Sequence, residues 1–145
     1  MKGILTVPSA GVPAGTSLFT ARYLGNATFS ASVSSPIPVT VYSGNAPATT
    51  TTSLASSANP ATLGQPVTFT ATVKASGKAA ATGTVTFYVD GSPIGSAALT
   101  PGKSVSTAQR TGVQLTAGSH VVSAIYIDAQ TFAASGSAPL TQVVQ

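Results

Sequence analysis

From Val67 to Val73 the chain alternates strictly. Val67, Phe69, Ala71 and Val73 fall on one side, and Thr68, Thr70 and Thr72 fall on the other. A period of two with one apolar face predicts a half-buried β-strand. The same pattern recurs at Thr84–Val89, where Val85, Phe87 and Val89 point inward, and at Gly118–Tyr126, where Val122, Ala124 and Tyr126 do. Further strands are predicted at Thr49–Leu54, Ile94–Leu99, Ser104–Ala108 and Leu140–Val144, the segment at Ser104 carrying the weakest pattern. Asn59-Pro60, Asp90-Gly91 and Pro101-Gly102 supply the turns. Asp-Gly in particular suits a type I′ hairpin, which needs positive φ at both central residues. Lys74–Thr82 is expected to be a loop of Gly, Ala and Lys.

Earlier in the chain, Ile4–Val7 is a short strand candidate. Ser17–Tyr23 alternates, with Phe19, Ala21 and Tyr23 on one face and Leu18, Thr20 and Arg22 on the other. Leu24–Ala27 reads as a loop. Pro36–Val41 is a strand whose prolines suit an edge or a strand start. Ser43–Pro47 reads as a linker. No segment longer than a few residues carries helical apolar spacing. About seven short strands within ~100 residues predict an all-β antiparallel sandwich. Its expected core is Val67, Phe69, Ala71, Val73, Val85, Phe87, Val89, Leu99, Val122, Ala124, Tyr126 and Leu140.

The two halves of this reading are related. Ala14–Tyr42 aligns with Ala117–Gln145 at a constant offset of 103 residues, without a gap. Gly15 falls on Gly118, Ala21 on Ala124, Tyr23 on Tyr126, Phe29 on Phe132, Ser34 on Ser137 and Pro36 on Pro139. Residues 1–45 therefore read as the late strands of one repeat plus a linker, and residues 46–145 as one whole repeat. In the partial repeat the apolar face that includes Phe19, Tyr23 and Phe29 lacks the strands that would cover it. The expectation is that the chain self-associates through this segment, or leaves it poorly ordered, while residues 46–145 alone are monomeric. An alternative is that the missing strands are encoded upstream.

Composition narrows the function classes. Charged residues make up 6% of the chain, there is no Glu, and the only acids are Asp90 and Asp128. Low charge alone can signal disorder, but 43% of residues are hydrophobic, which makes burial available. The net charge of +4 comes from six scattered cations. No basic run or arginine cluster marks a nucleic-acid footprint. There is no cysteine, hence no disulfide or thiolate metal site. No stretch approaches the ~18 apolar residues of a membrane span. The apolar start, Ile4–Val7, ends at Pro8 and is shorter than a signal-peptide core. Either the protein is cytosolic or this chain is a piece of a longer exported one, and the half repeat favours the second.

Few residues offer chemistry. Ser119, His120 and Asp128 can be written as a triad, but no nucleophile elbow accompanies them, so His120 is expected to be a structural hydrogen-bonding residue. Two acids cannot furnish the six or more oxygens a calcium ion takes, so no metal or other cofactor is expected. Tyr126 and Tyr23 are expected in the core, with the hydroxyl holding a neighbouring loop. Tyr88 points outward and, with Tyr42 and Phe132, is a possible sugar or protein contact. Asp128 is the other possible contact. Asn26-Ala27-Thr28 is a glycosylation sequon in a Ser/Thr-rich chain.

Several motifs together resemble a known family. Gly64-Gln65-Pro66-Val67-Thr68-Phe69-Thr70-Ala71-Thr72-Val73 is one; Thr82-Gly83-Thr84-Val85-Thr86-Phe87-Tyr88 followed by Asp90-Gly91 is another; Leu115-Thr116-Ala117-Gly118-Ser119-His120 leading to Ala124-Ile125-Tyr126 is a third. In this order they resemble bacterial immunoglobulin-like repeats of the group 3 type, over about Ala48–Gln145. The chain departs from the family where Gly-Asp usually follows the late tyrosine: it has Ile127-Asp128 in one copy and Leu24-Gly25 in the other. The resemblance implies an immunoglobulin-like sandwich used as a non-enzymatic spacer, at the cell surface or outside the cell, with neighbouring repeats as partners. The alternative it leaves is an adhesion or carbohydrate-binding module that takes a glycan or a surface protein on loops such as Lys74–Thr82 and Ile127–Thr131.

Overall fold

The computed structural model of the chain describes residues 14–41, 47–77, 79–128 and 131–145. The expected strand Ile4–Val7, most of the linker Ser43–Pro47, and Tyr42 lie outside the described residues. All regular structure in the described residues is β.

The complete unit is two packed sheets. One contains β5 (Thr50–Ser56), β6 (Val67–Ala75), β10 (Ser106–Val113) and the short β9 (Thr100–Pro101), in the order β5-β6-β10-β9. The other contains β7 (Thr84–Val89), β8 (Ser92–Ala98), β11 (Gly118–Ile127), β12 (Ser135–Gly136) and β13 (Leu140–Val144). Its order is β12-β11-β7-β8, with β13 pairing the same edge of β11 as β12. Every ladder is antiparallel. The two isolated bridges Ala48–Phe132 and Ala61–Val144 are parallel.

Alternation places the core. Val67, Phe69, Ala71 and Val73 of β6 are buried, as are Val85 and Phe87 of β7 and Val122, Ala124 and Tyr126 of β11. Each apolar side chain removed from water contributes about 1.5–3 kcal/mol before chain entropy opposes it. Asp90 and Gly91 turn β7 into β8, with φ of 49° and 79°, the paired positive values a type I′ turn requires.

Three expectations are corrected. Leu140 is only partly buried, because it sits at the edge of the second sheet and packs on the core from the side. The expected loop Lys74–Thr82 begins later, since β6 continues through Ala75, which pairs with Thr50 of β5. The segment from Ile94 to Pro101 crosses from one sheet to the other: β8 pairs with β7, and β9 pairs with β10. The core also contains small and polar members that alternation does not flag. Ala61, Ala81 and Ala108 are buried. So is Gln142, which accepts from Ser56 Oγ at 2.6 Å and donates to the carbonyls of Ala58 and Val143 at 2.8 and 3.0 Å.

The N-terminal segment forms two short ladders. β1 (Gly15–Phe19) pairs β4 (Ile37–Val41), and β2 (Arg22–Tyr23) pairs β3 (Ser32–Val33). The predicted strand Ser17–Tyr23 is thus interrupted after Phe19. Gly15 pairs Val41 and Phe19 pairs Ile37, while 103 residues later Gly118 pairs Val144 and Val122 pairs Leu140. Arg22–Val33 likewise precedes Ile125–Gly136 by 103. Even a side-chain bond repeats: Ala21 N–H donates to Ser34 Oγ, and Ala124 N–H to Ser137 Oγ. Pro36 and Pro38 of this segment line a shallow cleft with residues 134–137 of the complete unit.

Candidate functional site

The residues with chemical potential in the complete unit gather at its two ends, which are the two ends of β11. At one end the loop before β7 meets the loop after β11. Tyr126, fully buried, donates its hydroxyl to the carbonyl of Thr82. Burial raises the Tyr126 pKa well above the ordinary tyrosine value, and the Asp128 carboxylate nearby adds to the rise. Gly83 fits between the loops only because it has no side chain. Its φ is +114°, and a Cβ there would lie 2.6 Å from the Ile127 carbonyl oxygen. The expected role of Tyr126, a core tyrosine whose hydroxyl holds a loop, matches this arrangement.

Asp128 accepts from the N–H groups of Thr131 at 2.9 Å and Phe132 at 3.2 Å. In the first copy the equivalent N–H groups, Thr28 and Phe29, are held at 2.9 and 2.8 Å by Asn26 Oδ1. The two copies solve one backbone problem with different acceptors, one residue apart in the alignment. This signal was present in the sequence: the first copy lacks an acid at the position of Asp128 but has Asn26 next to it.

At the other end, Asp90 of the hairpin turn meets His120. Asp90 Oδ2 lies 2.7 Å from His120 Nδ1, and Oδ1 accepts from the Val121 N–H at 2.9 Å. His120 Nε2 lies 3.0 Å from the Thr116 carbonyl. The Thr116 hydroxyl also lies 3.4 Å from Nε2, and in its doubly protonated form the ring donates to both Asp90 and the Thr116 carbonyl. The bond to Asp90, then that to Thr116, raises the His120 pKa above its ordinary value, with burial opposing. Burial pushes the Asp90 carboxyl up, but the bonds from His120 and Val121 outweigh it and hold its pKa below the usual value. His120 is thus paired with Asp90, while Asp128 lies at the far end of β11, so the written triad does not assemble.

The three candidate contact residues fall in different settings. Phe132 is a correction: only 7% of it is exposed, because it packs into the core where Ala48 bridges to it, so its ring offers no surface to a ligand. Asp128 accepts from the backbone N–H groups beside it through Oδ2 and from Thr82 Oγ1, at 3.4 Å, through Oδ1. Tyr88 stands half-buried on the outward face of β7, opposite Ser123 and Pro93, and partial burial raises its pKa. The structure brings Asp128 and Phe132 together and leaves Tyr88 apart. Among the described residues no group of three histidine or acidic side chains is placed to hold a metal ion. No helix of the described residues is long and apolar enough to cross a membrane.

The sandwich order, the turn at Asp90-Gly91 and the buried late tyrosine all lie within one stretch, and the family model described as bacterial Ig-like domain (group 3) matches residues 52–145. The chain belongs to the bacterial Ig-like group 3 family. No curated protein matches the chain. The family suggests a structural domain of a surface protein, is generally non-enzymatic, and commonly occurs in exported proteins.

Proposed function

We propose that the complete unit, residues 46–145, is a mechanical spacer: a repeat that adds length and resists extension in an exported bacterial protein. The observation that carries this reading is where the chain enters and leaves. Entry is at Ala48, whose N–H and carbonyl bond to Thr131 and Ala133 near the Ile127 end of β11. Exit is at Val144, paired with Gly118 at the opposite end of the same ten-residue strand. At roughly 3.3 Å per residue, each unit separates its neighbours by about 30 Å.

The way the last strand is held supports the same reading. Ala61 N–H donates to the Val143 carbonyl, Gln145 N–H to Ala61, and Leu63 N–H to Gln145. These bonds join parallel segments. Tension applied at the two chain ends pulls such segments in opposite directions, so the bonds are sheared together rather than opened one by one. Buried polar side chains do not weaken the unit, since every such atom among the described residues has a partner. The partial repeat at residues 14–41, with its register 103 residues ahead of the second copy, supports tandem use with neighbouring repeats as partners.

Single-molecule extension between the chain termini tests the proposal. The expected record is one abrupt event that releases residues 48–145, a gain of roughly 300 Å at ~3.3–3.6 Å per residue. Smooth extension at low force without a discrete event would refute it. A glycan array and a cell-binding assay test the rival adhesion reading: saturable binding abolished by Tyr88→Ala would replace the spacer with a binding module.

A further inference from the structure

One large side chain on the outer side of the second sheet is buried without a sheet to bury it. Val122, Ala124 and Tyr126 of β11 point to the core, so Ser123 and Ile125 point away from it, and Ile125 lies outside the core cluster. Ile125 is nonetheless only 1% exposed. Its partners across the two ladders are Thr86 and Gly136, neither large enough to enclose a branched side chain. The segment 14–41 stands there. A Cβ built on Gly136 would lie 3.1 Å from Ile125 Cδ1 and 3.4 Å from Pro38 Cδ, and Pro36, in the same cleft, is buried. Proline rings suit such a seat, because they cover apolar surface without bringing an N–H that needs a partner.

A second contact fixes the direction of the segment. Gly91, in the hairpin beyond Val89 and toward the Gly118 end of β11, lies near Val33: a Cβ there would be 3.9 Å from Val33 Cγ1. From Val33 to Pro38 the segment therefore runs from the hairpin toward the Ile125 end of the sheet. Its counterpart in the complete unit, Gly136 to Thr141, runs the other way, from its partner Ile125 to its partner Val121. The two copies lie antiparallel, outer side against outer side. Pro36 and Pro38 correspond to Pro139 and Thr141, which are exposed in the complete sandwich. The strands that complete such a sandwich cover the opposite side, so a whole first repeat keeps this contact available.

We propose that the outer face of the second sheet, at Ser123, Ile125 and Gly136, is the seat for the preceding repeat, which folds back on the complete unit through Pro36 and Pro38. The inference rests on the tandem spacer reading and adds to it the way neighbours join. At rest the pair is folded. No ladder joins the segment to the complete unit among the described residues, so tension opens this side-chain contact before it shears a sandwich, and the pair holds length in reserve. Gly136 makes the seat specific. Its counterpart in the first copy is Val33, and a valine at 136 would take the space between Ile125 and Pro38.

Nuclear Overhauser spectroscopy of the full chain is the test, because it needs no substitution. A cross-peak between the Gly136 α protons and the Pro38 δ protons is expected, unchanged on about tenfold dilution, as a contact within one chain requires. The chain has no cysteine, so the pair Pro38→Cys/Gly136→Cys reports the same contact by disulfide formation. Val39→Cys/Gly136→Cys is the control, since Val39 lies on the opposite side of β4 and is 43% exposed. Under mild oxidation the first pair is expected to close within the chain at least about tenfold faster than the control. An absent cross-peak, a cross-peak that fades on dilution, or equal closure of the two pairs overturns the fold-back. The spacer reading stands or falls separately, on the abrupt event in the extension record.

Discussion

Phe29 and Phe132 occupy the same place in the two copies, so the chain carries its own control for what burial contributes. The perturbation is Phe132→Ala compared with Phe29→Ala. Phe132 is 7% exposed and touches the core; Phe29 is 65% exposed on a two-ladder segment. Truncating a nearly buried phenylalanine removes its transfer free energy and leaves a cavity, a cost of about 3–5 kcal/mol. With about a third of its surface covered, Phe29 has roughly 1 kcal/mol to lose, and that loss falls on the segment rather than on the sandwich. The assay is thermal and urea unfolding of the full chain. At roughly 4–8 °C per kcal/mol for a domain of this size, Phe132→Ala is expected to lower the main transition by 12 °C or more. Phe29→Ala is expected to leave it within about 2 °C. If Phe132→Ala unfolds the unit outright, Phe132→Leu, which removes far less volume, retains a measurable and smaller loss. Equal effects of the two alanine substitutions would refute the claim that only the second copy has a closed core.

Two further outcomes are expected. His120 is the only histidine, and its folded pKa lies above the unfolded value of about 6.5, so the stability it contributes is complete below that pH and is lost as pH rises through the folded pKa. Asp90, shifted down, contributes above its unfolded pKa of about 3.9 and loses its share as pH falls through the lower folded value. Stability from this pair is therefore greatest between about pH 4 and 6.5, and its size is below about 1 kcal/mol because Asp90 is largely exposed. Urea unfolding at pH 5.5 and 8.5 measures it, and a pH dependence that persists unchanged in Asp90→Asn would contradict the pairing. Gly83→Ala is expected to cost at least about 2–3 kcal/mol, combining a disfavoured φ with a clash against the Ile127 carbonyl. Gly64→Ala, with positive φ but open space around it, is expected to cost about 1 kcal/mol, and equal losses at the two sites in urea unfolding would argue against the clash.

Strands with strict alternation were legible in advance because their two faces meet different solvents. β6, β7 and β11 bury the side chains that period two assigns to the interior. The hairpin at Asp90-Gly91 was legible because few residue pairs accept positive φ at both positions. The two-residue strands β3, β9 and β12 were not, since their pairing depends on where a distant strand ends rather than on a local pattern. His120 was recognised as a polar residue of interest, but its carboxylate partner lies in a distant hairpin turn. Asp90 is thirty residues from His120, and no spacing rule joins them.

Taken alone, the order of residues determined the β class, the strand faces, the 103-residue offset between two similar segments and the family, because each follows from local periodicity or from one stretch resembling another. Tertiary structure alone decided which side of the N-terminal segment meets protein, that Phe132 is enclosed while Phe29 is open, and that His120 pairs with Asp90. The reason is physical: a strand's alternation defines two faces, but which face is buried depends on whether another sheet is present to cover it.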